Sequence, residues 1–320
     1  MKLVEALVAC VALLGLAASA LAQGYPARTV RVIVGFTPGG VVDITARIIS
    51  PRLADYWGQP VVVENRPGAT GVIGANLVAK SPPDGYTLLV HGGYAENAAL
   101  HGNLPYDPLQ DLVGIAPLAV QPFVLVASPA SGVKTVAELI AAAKARPGQL
   151  NYGSAGVGSG THLSAERFRV AVGIDAVHVP YKGGADAITN TIAGRITYGF
   201  STITVTLPHI REGRLVALGV SSARRSSLLP DVPTVAEAGV PSFAHAYWTG
   251  VWGPAGTPAD LVDRIARDVA RALAAADVRE RLASLGAEPM SMTPVEFERF
   301  VRSEIEETAR LVKAAGIKPQ

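Results

Sequence analysis

Two glycine-rich stretches hold most of the groups that could do chemistry. One, residues 151–168, reads NYGSAGVGSGTHLSAERF; the other, residues 34–43, reads VGFTPGGVVD. Each follows an apolar run and precedes an amphipathic one, the order of a strand, a turn and a helix start. A helix N-terminus leaves main-chain N–H groups unpaired and carries a partial positive charge, so an anion is stabilised there. Glycine lets the main chain come close to a ligand and adopt φ > 0 where a turn needs it. Such loops suit a phosphate cradle, a serine nucleophile or a carboxylate clamp. Ordinary strand–helix connection is the plain alternative.

Spacing decides against the first two. Gly153 and Gly158 are a phosphate-loop distance apart, but Ser159-Gly160 follow where Lys-Ser/Thr is required. Without that lysine the terminal phosphates lose their main counter-charge. Neither loop contains G-x-G-x-x-G, so no dinucleotide fingerprint is present and no cofactor is expected. The nucleophile elbow G-x-S-x-G fails at both serines, because Tyr152 lies two before Ser154 and Val157 two before Ser159. The six histidines (His91, His101, His162, His178, His209, His245) have no i, i+3 or i, i+4 pair and no H-E-x-x-H, which argues against zinc. His178, flanked by valines, reads as a hydrogen-bonded core histidine.

What remains is a small carboxylate held between two opposed loops. The glycine loops themselves, 35–40 and 153–160, contain no arginine, so recognition falls to main-chain N–H groups and hydroxyls. Charge-assisted hydrogen bonds contribute ~1.5–3 kcal/mol each, so four or five sum to roughly 6–15 kcal/mol. Association costs of at least ~4 kcal/mol then leave room for micromolar binding.

The rest of the chain sets bounds on this chemistry. Of 320 residues, 49% are hydrophobic and 17% charged, in the range of a folded protein able to bury a large core. The start, MKLVEALVACVALLGLAASALAQ, has a lysine, an apolar stretch and a small-x-small site at Ala20-Leu21-Ala22. This is the pattern of an export signal cut after Ala22, so residues 1–22 are expected to be removed. Cys10 is the only cysteine and lies inside that leader, which leaves no thiolate nucleophile, thiolate ligand or disulfide in the mature chain. The formal charge is +2 and the densest basic pair is Arg224-Arg225, so nucleic acid is not an expected partner.

The loops need elements to position them. Apolar runs at 29–36, 60–65 and 86–92 alternate with helical patterns at 41–56 and 71–80, the order of a mainly parallel α/β sheet. Pro51 should kink or end the first helix. The run at 111–131 is too long for an ordinary strand and carries three prolines. Alternation then resumes with helices at 135–145, 162–172 and 185–193 and strands between and after them. A second extended run at 246–254 precedes helices at 258–274, 278–285 and 294–315. Two α/β units joined by two extended crossings explain this order, with 23–121 plus 250–320 as one domain and 122–249 as the other. A single doubly wound domain is the alternative.

Eight segments in one order carry a family resemblance: PGGVVDITAR at 38–47, VVVENRPGATGVIGA at 61–75, PPDGYTLL at 82–89, LPYDP at 104–108, NYGSAGVGSGTHL at 151–163, HVPYKGG at 178–184, LPDVPTVAEAG at 229–239 and GPAGTP at 253–258. Together they resemble the substrate-binding receptors of tripartite tricarboxylate transporters, the Bug-type (Bordetella uptake gene) proteins. The resemblance implies a type II periplasmic binding protein, a two-domain Venus flytrap hinged on two extended crossings, working as a monomer in the periplasm without catalysis. It implies a carboxylate held by Phe36, Thr37, Pro38, Gly39 and Gly40 of one loop and Ser154, Ala155, Gly156, Gly158 and Ser159 of the other. Asp43 is expected to orient the first loop. Asn97 matches a pocket asparagine, and Tyr94 and Glu96 are expected as exposed neighbours on the cleft, although Glu96 would repel an anion. Tyr181 and Trp248 are candidate walls, with hinge packing as their alternative.

Two departures from the family pattern stand out: Asn190 replaces an acidic residue, and Ser201 stands where an aspartate often ends the strand. A serine there cannot pair with a ligand ammonium, so an acid without an α-ammonium group is expected. The expected partner is a two-subunit membrane permease. A membrane sensor kinase would use the same pocket, and an enzyme on this fold would need a base–nucleophile pair in the cleft.

Overall fold

A computed structural model of the chain describes residues 24–100, 102–241 and 243–318; the expected export signal and Cys10 lie outside the described residues. The valine- and leucine-rich runs form strands because both faces of the sheet are covered, which favours β-branched and apolar side chains throughout. In the first unit β1 (Val30–Val34) lies between β2 (Val61–Asn65) and β3 (Thr87–Gly92), all parallel. The connecting helices are α1 (Val41–Trp57) and α2 (Val72–Ala79), and α3 (Tyr94–Leu100) follows β3 directly.

The long extended run is one 16-residue strand, β4 (Leu112–Ala127). Its first part, up to Pro122, pairs antiparallel with β9 (Ala246–Pro254), which also pairs antiparallel with β3. From Phe123 onward β4 pairs instead with β7 (Tyr198–Thr202) and β8 (Val216–Val220). Parallel to β7 lie β5 (Asn151–Ser154) and then β6 (Val177–Pro180). One strand therefore belongs to two sheets, and the change at Pro122/Phe123 is the first crossing between units. The return crossing enters at Ala246, and Ala246–Thr249 are already paired with β4 in the first sheet.

Helices cover both sheets. In the second unit they are α4 (Val136–Ala145), α5 (Gly160–Val172), α6 (Gly184–Ile192) and α7 (Ile203–Arg211). The chain then closes the first unit with α8 (Ala259–Ala274), α9 (Ala276–Ser284), the short β10 (Glu288–Pro289) and α10 (Pro294–Ala315). In α8 the buried Val262, Ile265, Ala266, Val269, Ala272 and Leu273 recur at helical spacing and meet Ile49 and Leu53 of α1. Each of the valine, leucine and isoleucine side chains contributes about 1.5–3 kcal/mol on burial. On the other face Ile33, Leu89, Tyr94, Trp252 and Phe297 form a second cluster. The second unit has its own core around Leu125, Tyr152, Phe168, Tyr198 and Phe200.

The first helix corrects one expectation. It runs unbroken through Pro51 to Trp57. Losing one hydrogen bond there is outweighed by burial of Ile48, Ile49, Leu53 and Trp57 along the same face. At the far end, α10 reaches from the first unit to the second, where Leu311 and Val312 pack with Leu163 of α5 and Leu100 of α3. No described helix is long and apolar enough to cross a membrane.

Candidate ligand-binding cleft

The first jaw follows β1. Gly35 has no room for a side chain, since a Cβ there would lie 2.6 Å from the Gly71 Cα. That close approach seats the tight turn at Ala69–Gly71 beside the loop and brings Thr70 to the cleft. Asp43, 2% exposed, accepts from the Gly39 N–H at 2.9 Å, from Arg47 Nε at 3.0 Å and from Asn65 Nδ2 at 2.8 Å. Asn65 Nδ2 also donates to the Phe36 carbonyl at 3.0 Å. The loop is thereby held from its inner side. Burial alone would raise the Asp43 pKa; the hydrogen bonds from Arg47, Gly39 and Asn65 outweigh it and hold it below its ordinary value. The helix behind the loop starts at Gly40 with no side-chain cap.

The second jaw, 154–159, is tied by its own side chains. The Ala155 N–H donates to Thr161 Oγ1 at 2.9 Å, the Gly158 N–H to His162 Nδ1 at 3.1 Å and the Gly156 N–H to Ser154 Oγ at 3.2 Å. Ser159 caps α5, accepting from the His162 N–H at 3.3 Å while donating to the Gly156 carbonyl at 2.8 Å. The amides left for a ligand are those of the first helical turn, at Gly160 and Thr161, for which no acceptor is found among the described residues. Gly158, at φ +78°, approaches the first unit closely enough that a Cβ would lie 2.7 Å from Leu100 Cδ1. The two jaws thus face one another across the hinge strands.

Between them is a cleft of about 490 Å³. Four helices of eight or more residues begin on its wall: α1 at Val41, α5 at Gly160, α6 at Gly184 and α7 just after Thr202. None of the lining residues is lysine, arginine or histidine. Positive potential in the cleft therefore comes from main-chain N–H groups and helix dipoles, while Phe36, Val41, Val42, Phe123 and Tyr247 give an apolar body.

Of the expected ligand-binding residues, Phe36, Thr37, Gly40, Asn97, Ala155, Gly158 and Ser159 line this cleft. Pro38 and Gly39 are exposed on the first loop but off the wall. Ser154 and Gly156 belong to the second loop but are off the wall, and Tyr181, half-buried, donates its N–H to the Ser154 carbonyl at 3.0 Å. Ser201 is 3% exposed; the next residue along the strand, Thr202, takes the wall position.

Two expectations are corrected. Tyr94 is 1% exposed; it stacks on Trp252 with ring centroids 4.5 Å apart and donates to the Pro108 carbonyl at 2.6 Å. Trp248 faces a separate cavity of about 350 Å³ behind the hinge, its Nε1–H donating to Glu304 at 3.3 Å. Both are core anchors rather than walls. Glu96 does line the cleft, though it is buried and not exposed. Residues 94–100 are helical, so positions two apart point to nearly opposite sides, and Tyr94 and Glu96 part company.

The sequence reading missed Val41, Val42, Thr70, Gly92, Gly93, Phe123, Gly160, Thr161, Gly184, Thr202 and Tyr247. The helix-start residues had a signal: first-turn N–H groups, not loop amides, are the unpaired ones. Phe123 and Tyr247 had none, because they come from the two crossing strands. His178 Nε2 lies 2.7 Å from Ser154 Oγ, a serine–base contact, but Ser154 is 1% exposed and off the wall, so this pair has no access to a cleft ligand. His162 stacks on His178 at 3.9 Å, and burial lowers its pKa to about 4, so both loop-side rings remain neutral supports. Among the described residues no group of three His, Cys, Asp or Glu gathers to hold a metal.

The chain and its fold have close relatives. Residues 45–317 match the model of the tripartite tricarboxylate transporter family receptor. The chain belongs to that receptor family. Protein BugT of Bordetella pertussis is 39% identical over 96% of this chain and 95% of its own length. Rhodopseudomonas palustris Rpa4515, solved with adipate, superposes with a TM-score of 0.81 at 36% identity, covering 92% of this chain and all of the other. MatC (Rpa3494) from the same species, solved with bound malate, gives a TM-score of 0.76 at 34% identity over 90% of this chain and 100% of its own. Family members are substrate-binding receptors with the two-domain fold of periplasmic binding proteins.

Proposed function

We propose that this receptor captures a small organic acid in the periplasm, closes over it and presents it to a two-subunit membrane permease. The observation that carries the reading is the convergence of four helix N-termini on an apolar cleft whose wall has no cationic side chain. Such a site stabilises a carboxylate with N–H groups and hydroxyls, each charge-assisted bond contributing ~1.5–3 kcal/mol. Relatives that hold adipate and malate support the same ligand class. The units 23–121 with 250–320 and 122–249 are taken to rotate about β4 and β9. No covalent step is assigned to the cleft.

Ser201 refines the ligand class. It is buried directly behind the wall residue Thr202, with a hydroxyl where the resemblance expects an acid, and its Oγ lies 3.9 Å from where a Gly184 Cβ would sit. With no carboxylate there to meet an ammonium, acids lacking an α-amino group are preferred. The test is a thermal-shift screen at neutral pH with succinate, malate, adipate, citrate and benzoate against a sugar and an amine, followed by calorimetry. Binding to the native state raises Tm by mass action. A shift by a sugar or an amine, with none by any acid, would overturn the carboxylate reading.

A further inference from the structure

Glu96 is the one acidic side chain on the cleft wall, and the clamp described so far does not use it. An ionised carboxylate there would repel the anion the helix starts attract. Its surroundings disfavour that form. The residue is 8% exposed, and Oε2 has no hydrogen-bond partner among the described residues. Oε2 lies beside Gly93 and the Tyr247 ring: a Cβ placed on Gly93 would be 3.6 Å from Oε2 and 3.7 Å from Tyr247 Cε2.

The charged and titratable groups facing it come from three packed elements. Burial is the largest influence and pushes Glu96 up to about 7; its own main-chain N–H pulls it down, Glu304 of α10 pushes it up, and Arg167 of α5 pulls it down. Tyr247 of β9 is pushed well above the ordinary phenol range, by burial first and by Glu96 second, so it stays neutral beside the acid. Oε2 is closed to solvent as well as unpartnered, so a proton carried on the part of the carboxyl that lines the cleft has the ligand as its available acceptor.

We propose that Glu96 acts as a neutral carboxylic acid, donating its carboxyl O–H hydrogen bond to an oxygen of the bound organic anion, so that binding takes up a proton from solvent. This rests on the carboxylate reading of the cleft and adds a specificity-determining donor to it. A ligand offering a cationic group at the same point would favour the ionised form and release a proton instead.

Calorimetry with adipate at pH 6, 7 and 8, in buffers of different ionisation enthalpy, decides it. With the free acid at about 7, uptake is expected to be about 0.5 proton at pH 7 and about 0.9 at pH 8, with affinity about tenfold weaker at pH 8 than at pH 6. Glu96→Gln keeps a neutral donor of the same shape. It should bind adipate at pH 6 within a few-fold of wild type, lose the pH dependence and take up no proton at this site. Titration of adipate itself is common to both proteins and cancels in their difference. Glu96→Ala should weaken binding at every pH. A packing role alone would not move the proton stoichiometry. Adipate binding with no uptake, or with proton release, overturns the role given to Glu96 and leaves the carboxylate reading standing. If neither adipate nor any other acid of the screen binds, both fall together.

Discussion

Asp43→Asn tests whether the first jaw is formed before ligand arrives. One buried carboxylate holds Gly39, Arg47 and Asn65, and Asn65 in turn holds the Phe36 carbonyl, so both ends of the loop depend on it. Asparagine keeps the volume and loses the charge. The Arg47 side chain is 49% exposed, so its ion pair contributes at most ~1 kcal/mol after solvent screening. Gly39 and Asn65 donate to different carboxylate oxygens, and asparagine keeps only one acceptor, so one bond becomes neutral and the other is lost, together roughly 2 kcal/mol. A destabilisation of about 2–3 kcal/mol follows, a Tm lowered by roughly 5 °C for a chain of this size. A loosened loop must also be ordered on binding, at about 0.5–1.5 kcal/mol, which predicts a roughly two- to tenfold loss of adipate affinity. The pH dependence has a definite sign. The folded pKa lies below the reference of 3.8, so the bracing is fully present above that value and is lost as pH falls through the folded one. The Tm difference between wild type and D43N should therefore close in that acid window. Scanning calorimetry and ligand calorimetry on the two proteins measure both effects. Unchanged Tm and unchanged affinity at neutral pH would refute the bracing argument; lowered Tm with intact affinity would confine Asp43 to stability.

The remaining predictions concern the wall and what lies behind it. Gly92→Ala would place a Cβ 2.7 Å from Tyr247 Cζ and drive the ring into the cleft; adipate affinity should fall about tenfold or more while the circular dichroism stays native. Tyr94→Phe removes a hydrogen bond to Pro108 and should lower stability by about 1 kcal/mol in denaturant melts. Its affinity, and that of Trp248→Phe, should match wild type because neither side chain is on the wall. Wild-type protein titrated with aspartate should show no micromolar binding; heat saturating in that range would contradict the role given to Ser201.

The sequence by itself determined the local grammar. Strand, glycine loop and helix start are short-range patterns, set by β-branched runs, by glycines that tolerate φ > 0 and by helical spacing of apolar residues. That grammar located both glycine loops, the two extended runs and the family. It also ruled out a phosphate loop and a nucleophile elbow, since a missing lysine or a shifted glycine is visible without coordinates. Tertiary structure decided which residues share the wall. Phe123 and Tyr247 reach it from strands more than a hundred residues apart, which no local pattern couples. Pro51 stays helical because the helix face is buried, a contribution that lies outside its own neighbourhood in sequence. Tyr94 and Glu96 show the point most clearly: two residues apart on one helical turn, one is packed on Trp252 and the other lines the cleft. Packing alone chose between them, and the burial that follows is what raises the Glu96 carboxyl out of the ordinary acidic range.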